Sequence, residues 1–168
     1  ITICIAVGES QVSKLQELDL SQNGIGPPGV EALGNMLLVR GSLTVTDLRY
    51  NALDTESATM LANIAKEKKI SLCGITPGQT EADFSSGTTR QLMKPADAIL
   101  LTADLFVRAE LTSVSLLANK FDDDTVAMLL KLKEEKPTLT TLCGLKPDQK
   151  EAKFQYWGLT PQDAKLLA

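Results

Sequence analysis

An eleven-residue pattern written three times constrains this chain more than any other feature. Leu15, Leu18, Leu20, Asn23 and Ile25 make one copy; Leu43, Thr46, Leu48, Asn51 and Leu53 make a second; Leu111, Val114, Leu116, Asn119 and Phe121 make a third. Leu15 and Leu43 stand 28 residues apart, and so do Leu111 and Leu139. A fixed period of this length marks a stack of supersecondary units. Each unit can bury its apolar edge only against its neighbours, so the core is a strip rather than a ball.

Within a copy, Leu18 and Leu20 alternate with Glu17 and Asp19, the period of a half-buried strand. The asparagine that follows can bond backbone groups of neighbouring units, which would otherwise lack partners. Helical stripes lie between the strands. Val30, Leu33, Met36 and Leu37 form one, opened by Pro27-Pro28. Met60, Leu61, Ile64 and Ala65 form the next, behind the capping residue Asp54. Lys94-Pro95 opens a third helix through Leu105, and Asp122 a fourth carrying Val126, Leu129, Leu130 and Leu132.

A longer unit is superimposed on the short one. Leu72-Cys73-Gly74, Pro77, Gln79, Glu81-Ala82 and Phe84 recur as Leu142-Cys143-Gly144, Pro147, Gln149, Glu151-Ala152 and Phe154, 70 residues on. Leu72 to Phe84 is too short for a strand, a helix and a return. Leu72-Cys73 therefore reads as an extended edge and Glu81 to Ser85 as the next strand, related either as successive parallel rungs or as a local hairpin. Pro95 and Asp97 likewise match Pro161 and Asp163.

The net charge is −4 and no dense Lys/Arg cluster occurs, which argues against a nucleic-acid partner. Lys131, Lys133 and Lys136 are interrupted by Glu134 and Glu135 and read as a solvated helix end. No apolar run is long enough to span a membrane. With no histidine in the chain, its three cysteines lack the usual activating base. Cys73 and Cys143 lie too many units apart to pair and fit small buried thiols of an intracellular, reducing compartment, most simply the cytoplasm. Asp122-Asp123-Asp124 lacks the spacing of a calcium loop and reads as a helix cap. Ile1–Val7 reads as a strand of an earlier unit and Asp163–Ala168 as an unfinished helix. Residues 1–168 are thus expected to be a single domain cut from a longer array.

Leu-x-x-Leu-x-Leu-x-x-Asn at this period resembles the leucine-rich repeat proteins, and the helix-length connections resemble their ribonuclease-inhibitor-like subfamily. The resemblance implies an α/β solenoid, a curved horseshoe with parallel strands on the concave face and helices on the convex face. It also implies a non-catalytic protein-binding scaffold, such as a structural subunit of a larger assembly. An alternative is the sensor or regulatory arm of a nucleotide-binding receptor or a GTPase-activating protein, for which Arg90 would be the one loop arginine. No enzyme activity, cofactor, metal or small-molecule substrate is expected. The outward positions of the strands then form the partner surface. The fifth position gives Asp19, Asp47, Asp83, Ser115 and Lys153, an acidic column over its first three members; the eighth includes Tyr50 and Tyr156, and Arg49 stands beside Tyr50. Trp157 is expected to pack at a turn.

Overall fold

The computed structural model describes residues 14–39 and 41–167. The Ile1–Val7 stretch and Cys4 lie outside them. Strands of three residues alternate with helices: β1 (Glu17–Asp19), α1 (Pro27–Val39), β2 (Val45–Asp47), α2 (Thr55–Lys68), β3 (Glu81–Asp83), the single turn α3 (Ser86–Thr89), α4 (Pro95–Val107), β4 (Ser113–Ser115), α5 (Asp123–Glu135) and α6 (Pro161–Leu167). Asp54 caps α2 by accepting from the Ser57 amide at 2.8 Å, and Asp122 caps α5 from Thr125 at the same distance. Both caps hold these carboxyls below their ordinary range. The helical stripes face inward as expected, with Leu33, Leu37, Leu61, Ala65, Leu105 and Leu129 fully buried. Met60 is the exception: it is 42% exposed, lining the groove between α1 and α2.

The strands do not form one continuous sheet. β1 pairs with β2 in parallel, and β3 pairs with β4 in parallel, as two separate sheets. Each sheet is extended by a bridged edge segment, Ser71 and Cys73 beside β2, Thr141 and Cys143 beside β4. The Leu-Cys-Gly segments are therefore last rungs. Residues 71–73 and 81–83 form neither a hairpin nor a shared ladder, and 151–153 has no strand structure.

A side chain ends the first ladder. Asp104, on α4, accepts from the Ser71 hydroxyl and the Leu72 and Cys73 amides at 2.6, 2.6 and 2.9 Å. A buried strand edge needs partners for its N–H groups, and one carboxylate supplies them in place of a further strand. Arg108 closes the same junction, donating to the carbonyls of Ile75 and Thr44 at 3.0 and 2.7 Å. Burial pushes the Asp104 carboxyl up to about 6, against the pull of these donors and of Arg108.

Two asparagines tie the units together. Asn51 accepts from the amides of Asn23 and Ile25 and donates to the carbonyls of Leu20 and Leu48. Asn119 accepts from Met93 and donates to Phe84 and Leu116. Two aspartates add a longer tie. Asp97 accepts from the Lys94 and Tyr50 amides, and Asp163 from the Thr160 and Ala118 amides. The core runs without a break from Leu20 to Leu166.

Candidate strand-face interaction site

The fifth-position aspartates have a local task. Asp19, Asp47 and Asp83 each accept from the backbone amide two residues on, at Ser21, Arg49 and Ser85, over 2.8, 3.0 and 2.9 Å. A short carboxylate can close such a turn on its own backbone. The acidic column is broken by the sheet boundary: Asp19 registers with Asp47, whereas Asp83 registers with Ser115.

The middle aspartate is not an open charge. Asp47 is buried, and the Arg49 Nε donates to both its oxygens, at 2.9 and 3.1 Å. The Arg49 guanidinium also lies 4.7 Å from the Phe84 ring centroid and 5.5 Å from that of Tyr50. Gly74, at φ +73°, leaves room for the carboxylate, since a Cβ there would stand 3.1 Å from Asp47 Oδ2. Asp19 is exposed; its carboxyl is held low by the hydrogen bonds from Ser21 and, more weakly, by Arg49.

Tyr50 takes up a left-handed backbone, at φ 61°, as do Gln22, Ala118 and Tyr156 at the same place in their units. The Tyr50 ring is half-buried and its hydroxyl, beside Thr89, is buried without a well-formed hydrogen bond. Burial raises its pKa. Of the eight positions expected to form the partner surface, three (Asp47, Arg49 and Tyr50) are thus locked together. Lys153 and Tyr156 are exposed, but on an irregular segment rather than a strand. Arg90 is an exposed helix C-cap.

An opening on this face lies elsewhere. A pocket of about 380 Å³ is lined by β3 and β4 residues, among them Asp83 and Ser115, by Gly144 from the last rung, and by Phe154 and Trp157. The two rings meet edge to face with centroids 5.1 Å apart. Trp157 rests on Gly87, where a Cβ would stand 2.1 Å from the indole, so it packs as expected and also walls the pocket. Lys146 pairs with Glu81 at 2.9 Å at the edge of the pocket. Asp83 forms no ion pair with any described residue. The repeat pattern passes over Phe154 as a leucine substitute; only its match to Phe84 marked it.

Both described cysteines are free and buried. Burial and the neighbouring Asp104 drive the Cys73 thiol well above its ordinary range, so it stays protonated. No described helix is long and apolar enough to cross a membrane.

A Leucine Rich repeat family model matches residues 13–34, which hold β1, its turn and the first half of α1. That match supports a leucine-rich repeat protein. No curated protein matches the chain.

Proposed function

We propose that this chain is a non-catalytic protein-binding arm of a leucine-rich repeat solenoid, and that the strand face makes the contact. The observation that carries the reading is the pocket beside Phe154 and Trp157, together with the fully exposed Tyr156 that stands between them in the chain. Aromatic side chains that combine apolar area with a polar handle are the residues that anchor protein interfaces. The helices of 13 and 14 residues between strands support the ribonuclease-inhibitor-like subfamily and a horseshoe shape. Free buried thiols support a reducing compartment. The same surface would serve a scaffold subunit of a larger assembly.

Crosslinking with mass spectrometry in native extracts tests the reading. Partner crosslinks should concentrate on Lys146, Lys150 and Lys153, each next in the chain to a residue that lines the pocket. Crosslinks confined to the helix-side lysines Lys66, Lys68 and Lys131 would place the interface on the other side and overturn it.

A further inference from the structure

We infer that the pocket beside Phe154 receives an arginine side chain from a protein partner, an inference that rests on the strand face being the contact surface. The molecule contains its own template. β1 stands to β2 as β3 stands to β4, with Asp19 opposite Asp47 and Asp83 opposite Ser115. In the first pair, the Arg49 guanidinium is hydrogen-bonded to Asp47, attracted by Asp19 and stacked 4.7 Å from the Phe84 centroid. The first sheet thus holds a guanidinium between a carboxylate and a phenylalanine.

In the second pair the surroundings persist and the guanidinium is gone. Asp83 stands where Asp19 stands, and Phe154 is the counterpart of Phe84, 70 residues on. Leu117 takes the place of Arg49, two residues after the strand's fifth-position residue, and is fully buried in the core. Ser115 replaces Asp47, and its small side chain sits over Gly144 as Asp47 sits over Gly74. The space opens into the pocket, and Trp157 adds a second ring in place of Gly87. Glu81 is already paired with Lys146, so Asp83 is the carboxylate left for an incoming cation. A planar guanidinium suits the site better than an ammonium. It can stack on a ring face while its N–H groups fork onto a carboxylate.

Trp157 is the only tryptophan and reports on the pocket directly. Its fluorescence should change saturably when the purified chain is titrated with acetyl-Gly-Arg-Gly-amide. The lysine peptide should bind about fivefold more weakly, and the citrulline peptide, which has the shape without the charge, should not saturate. Asp83→Asn keeps an oxygen for the Ser85 amide and should weaken the arginine peptide about fivefold. Ser115→Asp restores the carboxylate that Asp47 supplies in the first sheet and should tighten it by a similar factor, a gain that misfolding cannot produce. Absence of a saturable response to the arginine peptide, an equal response to citrulline, or no tightening in Ser115→Asp would each overturn the inference. If those tests fail while partner crosslinks still fall on Lys146 and Lys153, only the arginine assignment is lost. If the crosslinks move to the helix side, the underlying reading fails with it.

Discussion

At the scale of single residues, this chain assigns its polar side chains to backbone repair more than to display. Asn119 is 3% exposed and satisfies one amide and two carbonyls from three different places in the chain. Asn119→Ala should cost about 2–4 kcal/mol, since three buried backbone groups lose their partner at once; urea melts measure it. Gly87 is sensitive for a different reason. A methyl group there would enter the Trp157 indole. Gly87→Ala should destabilise by about 1–3 kcal/mol and shift Trp157 emission to the red as the ring is pushed into water. The asparagines were legible in the sequence, because their spacing from the leucines puts them at turns. Gly87 was not, because its partner lies 70 residues away.

At the scale of elements, the informative contrast is between two ladder ends and two turns. Asp104 reaches from α4 to the edge of the 71–73 rung. Its folded pKa of about 6 lies above the ordinary aspartate value of 3.8. A carboxyl raised in this way contributes stability that is fully present below about pH 4 and is lost as pH rises through 6. The wild type should therefore show a downward component of stability of up to about 3 kcal/mol between pH 4 and 6 that Asp104→Asn lacks. The difference between their denaturation curves isolates it from the capping aspartates, whose lowered pKa values act in the opposite sense. At pH 7 the same variant should be less stable by about 2–4 kcal/mol, because the amide turns a donor toward N–H groups. The Asp47–Arg49 pair offers a second test. Arg49→Leu leaves a buried carboxylate uncompensated and should cost about 3 kcal/mol, whereas adding Asp47→Ser, to copy Leu117 and Ser115, should recover most of it. A double-mutant cycle reads the coupling.

At the scale of the whole molecule, the repeat and its apolar spacing implied strands with helices between them and an apolar strip inside, while the resemblance to leucine-rich repeats implied that the strands run parallel. The elements and the strip follow from local pattern, since period-two and period-3.6 apolar spacing dictate which face of each element must leave water. Capping by Asp54 and Asp122 and the separation of Cys73 from Cys143 were legible for the same reason: each depends on a residue's place within its own unit. The break between the two sheets, the closure of the first ladder by Asp104 and Arg108, and the withdrawal of Asp47, Arg49 and Tyr50 from the surface were decided by tertiary structure. Each depends on contacts between units, 31–64 residues apart for Asp104 and Arg108. The Arg49–Phe84 stacking is a contact of the same kind. A repeat pattern treats equal positions as equal, so it predicts one continuous outward column. Packing makes them unequal: a guanidinium that fills one turn is missing at the next, and the pocket opens where it is missing.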